Sequence, residues 1–459
     1  MQATHFRPER TILELGDDFY DAVAPADFPA TTLRFRNDRA AAEVGLAELD
    51  DAEWVRHFGR FAPLDGSLPQ PLALRYHGHQ FRSYNPDIGD GRGFLFAQMR
   101  DADGRLMDFG TKGSGQTPYS RFGDGRLTLK GAVREILATE MLEALGVRTS
   151  RTFSVIETHE ALDRHDEPSP TRSAVLVRLS HGHIRYGSFQ RQATLGNHAA
   201  LRRLVDYSLE HLLGEAPGGE DAPVRLLTRA ARDVAGLAAS YIAAGFVHGV
   251  LNSDNISITA ESFDYGPWRF APTWDPGFTA AYFDHQGLYA FTRQPGAIYW
   301  GLNQLALALL PISSGEALTP ARDSFVEHYE AALRDAFFRR LGVRSKGPQA
   351  DFDLMGEMEK ALRTSGVGFD RFWFDWRGGA LRRASALYDG AEFAPFRDAV
   401  AGFEPAVALD HPHWADDVPC SMLIDEVEAI WAPIAERDDW SALHAKVEAV
   451  RRMGTAYRG

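Results

Sequence analysis

The chain has 459 residues, 44% of them apolar and 24% charged, the balance of an ordinary globular protein long enough for two or three cores. Its formal charge of −14 argues against a surface built to neutralise nucleic-acid phosphates, while leaving room for a local basic pocket. A single cysteine, Cys420, excludes an intramolecular disulfide and a CxxC metal site, and it suits a reducing compartment. The opening stretch MQATHFRPER lacks the apolar centre of a secretory signal. The most apolar run, Leu302 to Leu310, is too short to cross a bilayer and reads as a buried helix segment ending at Pro311. A cytoplasmic protein with neither membrane nor nucleic acid as partner is expected.

Residues 1–75 mix short helical patterns with loop signals and read as a helical N-terminal extension without chemistry. From Tyr76 glycines crowd together, and two strand-like runs follow, 93–99 and 105–112, joined by the turn Asp101-Ala-Asp-Gly104. A second glycine-rich loop spans 113–125. A helix is expected over 128–145, from Val133, Ile136, Leu137, Met141, Ala144 and Leu145 at helical spacing and Gly146 as its stop. Strands are expected at 152–157 and 174–179, with a polar loop holding Pro168 and Pro170 between them. A long helix over 225–244 ends at Gly245, and 246–300 is irregular. Residues 318–459 read as helices with charged faces, broken near Pro405 and Pro412. This order is that of an α+β, protein-kinase-like bilobal fold. Its expected parts are the extension 1–75, a β-rich N-lobe at 76–190, a helical C-lobe at 191–317 and a C-terminal helical region at 318–459.

The chemistry concentrates in Phe246-Val-His-Gly-Val-Leu-Asn-Ser-Asp-Asn-Ile-Ser-Ile258. His248 and Asn255 have the spacing of a kinase catalytic loop, and Asp264-Tyr-Gly266 follows like the metal-binding Asp-Phe-Gly turn. An Asn amide oxygen and a carboxylate are the hard ligands that Mg²⁺ takes beside a polyphosphate. The position two after the His, where a kinase keeps its base, is Val250, which takes no proton. Asp254 is the nearest carboxylate able to serve, the alternative being a backbone-capping role. Lys112 ends the hairpin where a phosphate-gripping lysine belongs. Its helix partner is Glu135 or Glu140, and periodicity favours Glu140. The loop Gly89-Asp-Gly-Arg-Gly93 precedes the hairpin, where close backbone approach to phosphates is needed. Its second copy, Gly123-Asp-Gly-Arg126, precedes the helix. Arg178 and Arg185 are candidate phosphate ligands. The pairs His77/His79 and His181/His183 have metal spacing on a strand, but nothing completes a zinc set.

The runs Tyr76-His-Gly-His-Gln-Phe81, Gly89-Asp-Gly-Arg-Gly93, Lys112-Gly-Ser-Gly-Gln-Thr-Pro-Tyr-Ser-Arg121, Val133-Arg-Glu135, His248 to Asn255 and Asp264-Tyr-Gly-Pro267 resemble the selenoprotein O family. So do Gln294-Pro295 and Trp300-Gly-Leu-Asn303. The likeness covers about 70–310. It implies a pseudokinase fold that binds ATP in a flipped orientation. It also implies AMP transfer to Ser, Thr or Tyr hydroxyls of protein substrates with Mg²⁺ or Mn²⁺, and in some members UTP use with manganese. By position it implies that Lys112 contacts phosphate and that Glu135, rather than Glu140, is its partner. Gly89, Gly91, Arg92, Asp124 and Gly125 match nucleotide-binding loop positions, and Arg178 and Arg185 match phosphate-binding arginines. Asp254 matches the base, and Asn255 and Asp264 match the metal ligands. Many members carry a redox-active residue near the C-terminus, whereas this chain ends Met453-Gly-Thr-Ala-Tyr-Arg-Gly459 with Cys420 well upstream. The alternatives are a kinase-like phosphotransferase, opposed by Val250, and a non-catalytic ATP-binding scaffold.

Overall fold

The computed structural model describes residues 5–165 and 167–458. Residues 1–4 of the opening stretch and Gly459 lie outside the described residues. The centre is a nine-stranded antiparallel sheet in which Tyr20–Ala22, Leu72–Leu74, Leu95–Arg100, Leu106–Lys112, Thr171–Ser180, Arg151–Leu162 and Thr32–Arg36 lie side by side in that order. Arg7–Glu9 pairs with Leu95–Arg100, and Leu127–Thr128 with Thr171–Ser180. The expected hairpin and strand pair are all present, the latter longer at both ends. Both faces of the sheet are covered, and the period-two alternation of a strand sorts the side chains. Leu106, Ala174 and Leu176 join the core beneath the helix Leu129–Ala144. Met107, Phe109, Val175 and Val177 point the other way, onto Trp54 and Phe58. Strands buried on both faces read as continuous apolar runs, which is why they were conspicuous in the sequence.

The same parity places the polar ends. Leu176 faces Lys112 and Arg178 faces Gly110 across the ladder. Lys112 and Arg178 therefore project on the face that carries the helix Leu129–Ala144. That helix begins at Thr128, whose side chain accepts from the Gly131 amide, and stops near Gly146 at φ 79°. The long helix is Ala222–Ala244, with Pro at its start and Gly245 in the left-handed conformation at its end. The helix over Leu302 runs Gln294–Leu309, and it is only partly buried, with Leu307 and Leu310 about half exposed. Among the described residues no helix is long and apolar enough to cross a membrane.

The N-terminal segment departs from expectation. It contains helices, Asp38–Glu43 and Asp51–Phe58, but it also supplies four strands of the central sheet. These are three to five residues long, too short for alternation to emerge. Trp54 is fully buried, stacks on Phe153 at 4.8 Å and donates from Nε1 to Ser154. The expected C-terminal helices are present, with Ile424–Arg437 and Ser441–Arg458 packed on Leu129–Ala144. Trp54→Ala should cost about 3–5 kcal/mol in denaturant titration, within one cooperative transition. A separate early transition would mean that this segment folds apart from the sheet.

Candidate active site

A cavity of about 670 Å³ opens between the two glycine-rich loops, the end of strand Leu106–Lys112 and the loops at 254 and 264. Every residue expected to bind nucleotide lines it: Gly89, Gly91, Arg92, Lys112, Asp124, Gly125, Arg178, Arg185 and Asp264, together with Asp254. Among the described residues seven Lys or Arg side chains and five Asp line its wall, in a strongly acidic chain.

The two loops brace each other. A Cβ on Gly91 would lie 2.8 Å from the Tyr119 carbonyl oxygen, so only glycine lets the second loop sit there. Thr117 and Ser120 hydroxyls donate to the Asp90 and Gly91 carbonyls, and the Tyr119 hydroxyl bonds Asp21. Gly125 has φ 70°, and a Cβ on it would meet the backbone of Gly115 at 2.3 Å. The Asp124 carboxylate accepts from Arg164 at 2.8 and 3.2 Å and from the Arg126 amide at 2.9 Å, which shapes the loop. Among the described residues Arg92 and Arg121 have no carboxylate within ion-pair distance, which leaves two cations at the cavity free for an anion.

Lys112 is buried, 2.6 Å from Glu135 and 3.3 Å from Asp264. Glu140 lies elsewhere: it is buried against Arg39 and Arg451. The helix is buried nearly all round, so periodicity could not choose between the two glutamates. Arg178 and Arg185 each reach Asp264 at 3.4 Å. Burial alone would push the Asp264 carboxyl up, yet Lys112, Arg178, Arg185 and Arg92 hold it well below the usual carboxylate range. Asp264 itself has φ 64°, a left-handed conformation at the turn of its loop.

The catalytic-type loop is pinned at several points. The Arg185 guanidinium donates to the Asp254 carbonyl at 3.0 Å and pairs with Asp90 at 3.3 Å. It also lies over the rings of Tyr76 and Phe263, at 4.5 and 4.7 Å. His248 Nε2 is 2.9 Å from the Phe263 carbonyl and Nδ1 accepts from the Val250 amide, so this imidazole ties the loop to the residue preceding Asp264. Burial pushes the His248 pKa down, which keeps the ring neutral for that role. Asn255 donates from Nδ2 to the Val250 carbonyl at 2.9 Å, leaving its amide oxygen for another ligand. Asp254 is buried, and among the described residues its Oδ1 has no hydrogen-bond partner. Burial pushes its carboxyl up to about 6, with Arg185 opposing the rise.

The supports of the site carry little local signal in the sequence. The Ser253 hydroxyl accepts from the His79 amide, and Asn252 Oδ1 from the Phe81 amide, so Tyr76–Phe81 clamps the loop from the side. Asp90, the centre of the first Gly-Asp-Gly-Arg, is the partner of Arg185; its place in that motif was the available signal. Arg178 Nε donates to His183 Nε2, whose Nδ1 is 3.3 Å from Asp108, which in turn accepts from Gln98. His183 thus orients an arginine. His181 lies between the carbonyls of Leu106 and Leu212, His77 bonds Tyr84, and His79 bonds Gln190.

Among the described residues no group of three His, Cys, Asp or Glu could hold a metal. The Asn255 amide oxygen and the Asp264 carboxylate are hard donors, too few for a dedicated cage. Asp264 lines the cavity, whereas Asn255 is not among its lining residues, and a small cation held by such a pair would have to complete its shell with phosphate oxygens and water. Glu135→Gln should lower stability by about 1.5–3 kcal/mol in denaturant titration, since Lys112 loses a buried charged partner. An unchanged midpoint would contradict that ion pair.

The profile of the family described as "Protein adenylyltransferase SelO" matches residues 2–384. The chain is 39% identical to the "Protein nucleotidyltransferase YdiU" of Trichormus variabilis, over 97% of this chain and 96% of that one. It is 41% identical to the protein of that name from Gloeobacter violaceus, over 97% and 95%. For the one from Synechocystis the identity is 40%, over 96% and 97%. The likeness therefore runs well beyond 70–310, through the N-terminal strands and into the C-terminal helices. The chain belongs to the protein adenylyltransferase SelO family.

Proposed function

We propose that the chain transfers AMP from ATP to hydroxyl groups of proteins, on a pseudokinase-like bilobal scaffold, in the cytoplasm. The observation that carries this reading is the pairing of Val250, where a kinase keeps its base, with a buried carboxylate of unpartnered Oδ1, Asp254, in the same cavity as the cations around Asp264. A base displaced along the loop suits an acceptor attacking a different phosphorus from the one a kinase moves.

Lys112, Arg178 and Arg185 hold the triphosphate, with Gly89, Gly91, Arg92, Asp124 and Gly125 along it. Glu135 keeps Lys112 extended. Asn255 and Asp264 would hold Mg²⁺ or Mn²⁺, which when bound supplies charge stabilisation at the α-phosphate and the leaving group. Asp254 takes the acceptor proton as the hydroxyl oxygen bonds the α-phosphorus. The bond from that phosphorus to the bridging oxygen breaks, and pyrophosphate leaves. A carboxyl pushed up to about 6 by burial is a better proton acceptor than an ordinary aspartate and is still largely ionised at neutral pH.

The test uses ATP labelled at the α- or the γ-phosphate, incubated with the protein, Mg²⁺ or Mn²⁺ and a cell extract. Label should reach protein only from the α-phosphate, and Asp264→Ala should abolish it. Label only from the γ-phosphate would mean kinase chemistry, and ATP binding without transfer from either position would mean a scaffold. Asp254→Ala should retain ATP binding and slow transfer by about 10²–10⁴-fold. An unchanged rate would leave Asp254 a backbone-holding residue.

A further inference from the structure

The helix Leu129–Ala144 carries two buried glutamates with opposite errands. Glu135 faces the cavity and pairs with Lys112 at 2.6 Å. Glu140, five residues on and turned about 140° around the axis, faces the C-terminal helix Ser441–Arg458. There it accepts from both arms of Arg451, Nε at 2.8 Å and Nη2 at 2.5 Å, with Arg39 at 3.2 Å beside them. A fork on a buried carboxylate fixes direction as well as distance. One turn further the two helices nearly touch: a Cβ on Gly454 would lie 3.0 Å from the Ala144 Cα. Lys130, at the other end of the same helix, pairs with Glu428 on Ile424–Arg437 at 2.7 Å. The helix is also tied to the Asp264 loop, since Arg134 donates to the Trp268 carbonyl at 3.2 Å and lies over its ring.

We propose that Arg451 is a positioning residue for the transfer reaction. The C-terminal helix is a strap, and the Arg451–Glu140 fork sets the rotation and height of Leu129–Ala144 at which Glu135 meets Lys112. The proposal rests on Lys112 gripping phosphate, as in the function proposed above. Without the fork the helix keeps its apolar packing but loses its register. Lys112 then spends time away from Glu135, and the triphosphate is held out of line. A misplacement of about 1 Å at a reacting centre is enough to cost orders of magnitude in rate.

The experiment compares full-length Arg451→Met, Arg451→Lys and Val450→Ala. Val450 is fully buried on the same helix, makes no contact with Glu140 through a polar group, and controls for loss of packing. Acetylation of Lys112 by acetic anhydride, without nucleotide, is read by mass spectrometry against the exposed Lys360. Melting temperature and AMP transfer are measured in parallel. Arg451→Met should raise Lys112 acetylation several-fold and lower kcat about tenfold or more, with the KM for the acceptor unchanged. Arg451→Lys should recover part of both. Val450→Ala should melt lower while leaving both near wild type. Equal changes in Val450→Ala and Arg451→Met, or none in Arg451→Met, would overturn the proposal. Should the wild-type protein transfer no AMP, the proposed activity fails separately, and Lys112 acetylation alone decides on the strap.

Discussion

The site depends on one carboxylate surrounded by cations. Asp264 lies 3.3–3.4 Å from Lys112, Arg178 and Arg185. At an effective dielectric of about 20, each such contact is worth about 5 kcal/mol of Coulomb attraction, set against several kcal/mol to desolvate each buried ion. Glu135 pairs with Lys112 and Asp90 with Arg185, so these three cations are balanced by three carboxylates, and the positive surplus of the cavity wall lies farther out, with Arg92 and Arg121 among its cations. Glu135 takes one cation's remaining charge and fixes where its ammonium sits. The surrounding elements serve this arrangement. Strand parity brings Lys112 and Arg178 to one face, Arg185 bridges Asp90, Asp254 and Asp264, and His248 ties the two loops together.

The chemistry was legible in the sequence wherever it was local. Asp254 and Asp264 stand in one run of the chain, and their two loops meet at the cavity. Lys112 closes a strand flanked by glycine-rich loops, and the first of those loops announced close backbone approach. What was not legible is three-dimensional. Glu140 fits the apolar stripe better than Glu135, but a helix sandwiched between a sheet and a C-terminal helix has no solvent face to define a stripe. The string from Gln98 through Asp108 and His183 to Arg178 joins residues of three strands and a loop, and only the ladder's register brings them together. The strands before Tyr76 are too short to alternate visibly, and they are recruited by the edges of a sheet built later in the chain.

Val250 shows how a departure from a motif carries information. The apolar residue removes the base from its kinase position, and the next carboxylate along the loop, Asp254, is held in place by its backbone rather than by its acid group. Arg185 binds the Asp254 carbonyl, Gly78 packs against its Cβ position, and Ser253 is locked by His79 and Gln190. Oδ1 is thus buried and left without a partner. A buried acceptor without a donor is costly in a folded protein unless something arrives to use it.

The orientation of the nucleotide is the central claim, and a crystal structure with Mg²⁺ and an ATP analogue that resists cleavage between the α- and β-phosphates tests it most directly. The α-phosphorus should lie beside Asp254 and Asp264, with the β- and γ-phosphates running along Lys112, Arg178 and Arg185. A γ-phosphorus nearest Asp254, with the α-phosphate remote from it, would rule out the flipped nucleotide and make the chemistry that of a kinase.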